Sequence, residues 1–348
     1  MRHRVALIGL GMGAAPHAQS LVDLADRVEV VAACARTAAH AEAFAARYGF
    51  AAASDVEALV RARHIDAVII ATPPASHLDL VERFAAAGKH ILLEKPLELT
   101  LERSRAVVAA CERAGVRLGV VFQHRFRPGA LRLQALVEAG ALGQLAAANV
   151  SVPWWRPQSY YDVAGRGTLA RDGGGVLITQ AIHQLDLFLS LVPPVVEVSA
   201  FATTSRVHRM ETEDMVAGAL AFEGGALGSL MATTAAYPGF GERLELIGTR
   251  GTAVLADGVL EVHLHDGRSE RAGAAGGGGG GADPMAFSND AHRAVLAAFL
   301  DAVEAGRDPV NSGRAALKVH ALIEALLASS HLRKPVGLAM RGTSIIES

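Results

Sequence analysis

A glycine-rich segment near the start of the chain has the spacing of a phosphate-binding turn. Residues 9–14 read Gly-Leu-Gly-Met-Gly-Ala, which fits the pattern G-x-G-x-x-G/A between a strand and a helix. Gly9 would permit the tight turn, Gly11 would let backbone approach a pyrophosphate, and Ala14 would let the helix pack on the strand. Amides at the helix N-terminus attract phosphate oxygens. The segment predicts dinucleotide binding rather than a turn without a ligand, with contacts from Gly9, Gly11, Met12, Gly13 and Ala14.

The end of the second predicted strand lacks the acidic residue that contacts the ribose of NAD. Turns that bind NAD usually carry Asp or Glu about 20 residues after the glycines. Residues 32–37 read Ala-Ala-Cys-Ala-Arg-Thr instead. A cationic Arg36 suits the 2′-phosphate of NADP, so NADP is predicted in preference to NAD, with Arg36 and Thr37 as contacts. The alternative is that Arg36 is a solvated residue at the start of a helix.

A lysine follows another predicted strand. Residues 90–96 read His-Ile-Leu-Leu-Glu-Lys-Pro, an apolar run followed by Glu94 and Lys95. Ligands of open α/β sheets bind at the carboxyl ends of the strands. Lys95 could exchange a proton with a substrate oxygen if partial burial lowered its pKa. The alternative is an ordinary surface charge.

A second group of polar residues lies on a predicted helix over 174–191. Thr179, His183 and Asp186 are spaced by four and three residues and would share one helix face, with Gln180 beside it. A histidine at such a place could handle a proton near neutral pH. The alternative is a histidine that only completes the packing.

An aromatic segment adds candidate substrate contacts. The cluster occurs in a chain with only 5% aromatic residues and comprises Trp154, Trp155, Arg156, Tyr160 and Tyr161. Aromatic faces and an arginine could bind a ring of hydroxyl groups, although a subunit interface would use the same residues. Trp155, Arg156 and Tyr160 are the predicted contacts.

The elements that must position these residues fall into two domains. Residues 1–122 alternate short apolar strands with alanine-rich helices, a pattern that predicts a doubly wound parallel α/β sheet, the Rossmann arrangement. Residues 123–348 then show a run of strands from 195 to 265 with short turns, which predicts a mostly antiparallel sheet with helices on one face. Two helices, over 289–305 and 313–331, end the chain and could pack back on the first domain. The glycine-rich segment 272–282 predicts a loop.

Composition excludes several other classes of function. The 348 residues carry a net charge of −2 without a long basic run, which argues against nucleic acid or an anionic membrane as a partner. No apolar stretch approaches the ~20 residues of a membrane span. Two distant cysteines fit a reducing compartment, and a cytoplasmic location is expected. Because no His, Cys or Asp residues have ligand spacing in the sequence, no metal site is predicted.

Two further segments resemble the glucose–fructose oxidoreductase/inositol dehydrogenase family (Gfo/Idh/MocA). The resemblance to this family extends over nearly the whole chain. Residues 66–77 read Asp-Ala-Val-Ile-Ile-Ala-Thr-Pro-Pro-Ala-Ser-His, and residues 87–96 read Ala-Gly-Lys-His-Ile-Leu-Leu-Glu-Lys-Pro. The resemblance implies a Rossmann domain, an open sheet domain that often mediates dimers or tetramers, and a binding cleft between the two domains. It also implies cofactor contacts from Thr72, Pro73, His77, Glu94 and Lys95.

The resemblance further implies that Lys95 and a histidine corresponding to His183 perform the acid/base chemistry. Where many members carry Asp, this chain has Thr179 followed by Gln180, so a relay assisted by a carboxylate is not expected. Arg125, in a segment similar to the family's Arg-Phe pair, could contact substrate or brace the domains.

The predicted activity is hydride transfer between a nicotinamide dinucleotide and a secondary alcohol or ketone carbon of a sugar, cyclitol or related polyol. Two alternatives stay open. One is a family variant that cleaves a glycosidic bond and regenerates its cofactor. The other is a regulator that binds dinucleotide without turnover, although a regulator needs neither Lys95 nor His183.

Overall fold

The computed structural model describes residues 2–275 and 288–338 of the chain. The described residues fall into two compact units, the first within the ranges Met1–Gln123 and Ser288–Leu317 and the second within the ranges His124–Phe287 and Lys318–Ser348. Residues 276–282 of the predicted glycine-rich loop lie outside the described residues. No helix in the described part of the chain has the length and hydrophobicity needed to cross a membrane.

The first unit contains a six-stranded parallel sheet within the described residues. In chain order its strands are β1 (His3–Ile8), β2 (Val28–Cys34), β3 (Ala52–Ala53), β4 (Ala67–Ile70), β5 (His90–Leu93) and β6 (Leu118–Val120). Their order across the sheet is β3-β2-β1-β4-β5-β6. Every residue of β4 is buried, as expected of a strand covered on both faces. The order reverses between β1 and β4, so the crevice where ligands of such sheets bind opens beside these two strands.

Five helices alternate with these strands: α1 (Ala14–Asp23), α2 (Ala38–Tyr48), α3 (Val56–Arg61), α4 (His77–Ala86) and α5 (Leu101–Ala114). Their ends follow from local chemistry. The Asp55 side chain caps α3 by accepting from Ala58 N, and Thr100 caps α5 by accepting from Arg103 N. Gly115 ends α5 in the left-handed conformation, with φ of 67°.

The second unit is built on a nine-stranded sheet within the described residues. Its strands are β7 (Leu145–Pro153), β8 (Val195–Thr203), β9 (Met215–Phe222), β10 (Leu227–Thr233), β11 (Arg243–Gly248), β12 (Gly251–Ala256), β13 (Val259–Leu264), β14 (Ser269–Ala272) and β15 (Val336–Gly337). The order is β14-β13-β12-β11-β7-β10-β9-β8-β15. All pairs are antiparallel except β7 with β10. The predicted fold class, a Rossmann sheet followed by a mostly antiparallel sheet domain, is confirmed.

The helices of this part of the chain are α6 (Pro128–Glu138), α7 (Gln158–Tyr161), α8 (Leu169–Asp172) and α9 (Ile182–Leu191). Helix α6 packs on β12 and β13, and α9 packs on β7. The sequence predicts one helix over 174–191, and this prediction is wrong at its N-terminal end. Residues Leu177–Ala181 form a π-helical turn that leads into α9. One residue is thereby inserted into the hydrogen-bond ladder, an arrangement that is frequent at functional sites.

Two long helices follow, α10 (Asp290–Glu304) and α11 (Gly313–Leu332). Helix α10 packs against α1 and β5 and therefore belongs to the first unit together with the start of α11. The rest of α11 lies with the second unit, where Ser329 Oγ accepts from Ala200 N of β8 at 3.1 Å.

Candidate functional site

The glycine turn between β1 and α1 has the geometry that its spacing predicts. Gly9 has a φ of +90°, and a Cβ atom there would lie 2.7 Å from Thr72 Cγ2 and 2.8 Å from the Ala71 backbone. Only glycine fits this position. A Cβ at Gly11 or Gly13 would meet no atom within 4 Å, and Ala14 is fully buried. The turn thus provides the cradle of backbone amides that a pyrophosphate requires, and the residues present fit a dinucleotide.

Arg36 and Thr37 lie where the sequence places them, just past the carboxyl end of β2. Both are exposed. Thr37 is the N-terminal flanking residue of α2, and its side chain makes no capping hydrogen bond. Like Gly9 after β1, these two residues lie at the carboxyl ends of the parallel strands.

His77 has a different environment from the one predicted. Its side chain is fully buried, with Nε2 lying 2.9 Å from Thr72 O and Nδ1 lying 3.1 Å from Pro96 O. Burial lowers the pKa of His77, and the backbone hydrogen bonds oppose that shift. The imidazole therefore ties the loop after β4 to the loop after β5.

Glu94 and Lys95 extend from the carboxyl end of β5, which pairs with β4. One carboxylate oxygen of Glu94 accepts from Lys95 N at 3.1 Å, and the other lies 2.6 Å from His17 Nε2 of α1. Burial raises the pKa of Glu94, but the hydrogen bond and charge of His17, with His292 and Lys95 nearby, hold it below its ordinary value. Glu94 is therefore a fixed carboxylate directly beside Lys95.

His292 of α10 completes a cluster around Glu94 that the sequence does not predict. Its ring meets that of His17 edge to face, with centroids 5.4 Å apart. One potential metal-ligand atom from each of His17, Glu94 and His292 lies within 4.8 Å of the others. No spacing in the sequence indicates this cluster, and the expectation that the chain holds no metal stays a prediction. The three residues come from distant segments, and only the packing of α1 and α10 on the sheet brings them together.

The segment before His183 is shaped by glycines and by Glu213. The Glu213 carboxylate accepts from Gly175 N at 3.0 Å and from Leu177 N at 3.3 Å. A Cβ at Gly175 would overlap the Glu213 backbone oxygen, so the glycine is required. Burial raises the pKa of Glu213, although these backbone hydrogen bonds oppose the shift. A buried acceptor thus holds the free amides at the start of the π-helical turn.

Thr179 and Gln180 lie within this π-helical turn. The Thr179 hydroxyl lies 2.6 Å from Gly175 O and also contacts Gln180 Oε1. Because an extra residue is inserted between Thr179 and His183, the simple spacing of one α-helical face does not apply. The predicted common face of Thr179, His183 and Asp186 therefore holds only for the last two residues, which lie within α9.

His183 and Asp186 both contact the short 3-10 turn Gln123–Phe126. The His183 ring stacks on that of His124, with centroids 5.1 Å apart. Arg125 binds Asp186 through two hydrogen bonds of 2.5 and 2.6 Å, and Asp186 is fully buried. Burial raises the pKa of Asp186, and Arg125 opposes this shift. The guanidinium of Arg125 thus holds α9 through a contact inside the second unit.

The aromatic segment is organised around buried polar groups. Arg156 is only 2% exposed, donates to Trp155 O at 2.7 Å, and packs over the rings of Trp154 and Tyr160 at 5.4 and 5.8 Å. His208 fixes the backbone here, since its Nε2 lies 2.8 Å from Arg156 O. Trp155 and Tyr160 remain partly exposed. The Arg156 guanidinium is therefore a packing element, while the two partly exposed rings stay available to a ligand.

Comparison with known proteins identifies both parts of the chain. Residues 3–122 match the model of an oxidoreductase family with an NAD-binding Rossmann fold. Residues 130–254 match the GFO/IDH/MocA C-terminal domain.

Relatives with assigned names cover almost the entire chain. D-apiose dehydrogenase of Paraburkholderia graminis is 32% identical over 97% of this chain and 90% of its own length. Inositol 2-dehydrogenase of Rhizobium meliloti is 29% identical over 97% of this chain and 100% of its own length.

Solved structures show the same architecture. The WlbA dehydrogenase of Bordetella pertussis, solved with NADH and UDP-GlcNAcA, superposes with a TM-score of 0.82 at 29% identity, covering 97% of this chain and 99% of that one. Levoglucosan dehydrogenase, at 23% identity and a TM-score of 0.85 over 98% of this chain and 100% of that one, supports the fold alone. The resemblance inferred from the sequence motifs is confirmed, and the chain belongs to the GFO/IDH/MocA family of oxidoreductases with an NAD-binding Rossmann fold.

Proposed function

We propose that this oxidoreductase is a dehydrogenase that interconverts a secondary alcohol and a ketone on a sugar, cyclitol or related polyol. The observation that carries the proposal is the position of Glu94 and Lys95, which follow β5 on the same side of the sheet as the glycine turn after β1. The D-apiose and inositol dehydrogenases act on substrates of this class by name. These relatives support the hypothesis of a dehydrogenase. They do not support the alternatives of a glycosidase or a regulator.

The proposed reaction needs a general acid or base as well as a cofactor. A bound nicotinamide accepts or supplies the hydride. During oxidation the carbon loses hydride and its hydroxyl oxygen loses a proton as the C=O bond forms, and reduction reverses both transfers. We assign the proton transfer to Lys95 and His183, each of which can hold a proton at a nitrogen atom. Glu94 fixes the backbone at Lys95 through its contact with Lys95 N.

The remaining assignments divide by what each side chain contacts. Thr72 and Pro73 follow β4 beside Gly9 and are proposed to contact the cofactor together with Glu94. Trp155, Tyr160 and Gln180 are proposed substrate contacts in the second unit. Arg125, Arg156 and Thr179 are occupied by Asp186, by the aromatic rings and by Gly175 O. We therefore propose that these three residues shape the site.

We further propose that NADP is preferred to NAD. Support comes from the exposed Arg36 at the end of β2 and from the absence of an acidic residue over 32–37. A guanidinium binds a phosphate through charge-assisted hydrogen bonds, and a ribose hydroxyl offers no such partner.

A homodimer or homotetramer formed through the open face of the second sheet is also proposed. That face exposes Phe201, Met215 and Leu227 at 66%, 36% and 64% in the single chain, and the strands between them carry small residues such as Ala217 and Ala219. An apolar patch of this kind is typical of a protein interface. Sparse, buried, free cysteines at Cys34 and Cys111 support a cytoplasmic location.

A substrate screen tests the proposed activity. The purified chain is incubated with polyols, sugars and nucleotide sugars, each with NAD⁺ and with NADP⁺, and the absorbance of reduced nicotinamide is followed. We expect accumulation of reduced cofactor with at least one substrate. Cleavage of a glycoside without net reduction would instead identify a hydrolase, and cofactor binding without any turnover would identify a regulator.

A further inference from the structure

His124 lies in the second unit against His183, the proposed general acid/base. The two rings stack with their centroids 5.1 Å apart and an interplanar angle of 24°. Both side chains are buried, with 2% and 7% exposure. We infer that His124 is a positioning residue that holds the His183 imidazole in one orientation and accommodates the positive charge formed when His183 takes a proton. This inference rests on the proposed function of His183.

The hydrogen bonds of His124 determine where its own proton lies. Arg127 Nη2 is 2.8 Å from His124 Nε2. A guanidinium only donates hydrogen bonds, so Nε2 must accept and cannot carry a proton. The one ring proton of a neutral His124 then lies on Nδ1, which is 3.2 Å from Gln184 Oε1 and 3.9 Å from Glu242 Oε1. Both ring nitrogens thus have polar partners, Arg127 on one side and Gln184 on the other, and these contacts hold the ring in one orientation.

Glu242 anchors the other end of this arrangement. Its carboxylate accepts from Arg127 Nη1 at 2.5 Å, and Glu242 is only 3% exposed. Glu242 thus holds Arg127, Arg127 holds His124, and the face of His124 lies against His183. Because Gln184 follows His183 directly on α9, the last hydrogen bond ties His124 to the same helix that carries His183.

A neutral, flat partner suits a histidine whose charge changes during the reaction. A cation is attracted by the face of a neutral aromatic ring, whereas a second imidazolium at this distance would repel it. The Arg127 contact keeps His124 neutral on its Nε2 edge, so His183 can become charged without a like charge on the stacked ring. Removing the ring would free the His183 side chain to adopt other orientations.

Two variants separate stacking from hydrogen bonding. His124→Ala removes the ring, and His124→Phe keeps a flat aromatic face but loses both hydrogen bonds. We expect His124→Ala to lower kcat by about 10- to 100-fold, the scale of a misplaced reacting group, with the KM for the cofactor unchanged. His124→Phe should restore part of kcat. The exposed His265→Ala serves as a matched control and should behave as wild type.

Nitrogen NMR of the full-length, ¹⁵N-histidine-labelled chain provides a readout that does not depend on activity. The signal that disappears in His124→Phe should belong to a neutral ring protonated at Nδ1 around neutral pH. A ring protonated at Nε2, or an imidazolium, would overturn the inference whatever the kcat of the variants. Unchanged kcat in a folded His124→Ala would also overturn it if His183→Ala were inactive. Full activity of His183→Ala would instead overturn the proposed function.

Discussion

At the scale of single residues, Glu94 connects the sheet edge to the buried histidines behind it. Its carboxylate is shared between Lys95 N and His17 Nε2, and the sum of its interactions lowers its pKa despite burial. Replacing the histidine partner would leave a partly buried carboxylate oxygen without its hydrogen bond, which is costly.

We predict that His17→Phe lowers the free energy of unfolding at neutral pH by about 1–3 kcal/mol, the cost of an unsatisfied buried acceptor. Because the pKa of Glu94 is lowered in the folded state, its stabilising contribution is present above the unfolded pKa and is lost as pH falls through the folded pKa. The difference in the free energy of unfolding between wild type and His17→Phe should therefore become smaller at acidic pH. Urea unfolding across acid and neutral pH measures it, and a difference that grows in acid would contradict the assignment.

Arg36 leads to a prediction about cofactor choice. Arg36→Ala should weaken NADP binding by about 1–3 kcal/mol, the range for a charge-assisted hydrogen bond, and leave NAD binding unchanged. Fluorescence titration with each cofactor measures both affinities. Equal losses would show that Arg36 does not contact the 2′-phosphate, and a wild-type preference for NAD would refute the proposed NADP preference.

Single residues differ in how far the sequence alone could place them. Lys95 was predictable because a contiguous motif follows a buried strand. His17 and His292 were not, because their proximity to Glu94 depends on how two helices pack. The burial of His77 was also unpredictable, since its partners are backbone carbonyls in two other loops.

At the scale of elements, the turn between β1 and α1 separates two roles of glycine. Gly9→Ala should reduce stability by about 1–3 kcal/mol through overpacking, because its Cβ would contact the backbone at Ala71. Gly11→Ala has open space around it and should keep wild-type stability while losing dinucleotide affinity. Thermal unfolding without cofactor and titration with cofactor measure the two effects. A fully stable Gly9→Ala would contradict the predicted close approach.

The alternation of strands and helices over 1–122 was predictable, since burial on both faces gives strands such as β4 a continuous apolar run. The two-residue strands β3 and β15 carry no such run and were missed. The parallel pairing of β7 with β10 could not be predicted either, because it joins strands that are distant in sequence. The π-helical turn was hidden because Leu177–Ala181 has an ordinary helical composition.

At the scale of the whole molecule, the open face of the second sheet is the proposed subunit interface. We predict that Phe201→Asp combined with Leu227→Asp yields a monomer, because buried unpaired carboxylates oppose association. Val207→Asp, an exposed apolar position in a loop of the same unit, is the matched control and should assemble as wild type does. Light scattering gives the mass in each case. A monomeric wild type at micromolar concentrations would refute the interface.

The proposed activity depends most directly on Lys95. Turnover and cofactor affinity of Lys95→Met should be measured together, on any substrate found in the screen. We predict that turnover falls by about 10²–10⁴-fold, the usual contribution of a general acid or base. Cofactor affinity should stay near that of wild type, because it rests mainly on the glycine turn and the start of α1. Near-normal turnover in Lys95→Met, with the cofactor bound, would contradict the proposed proton transfer.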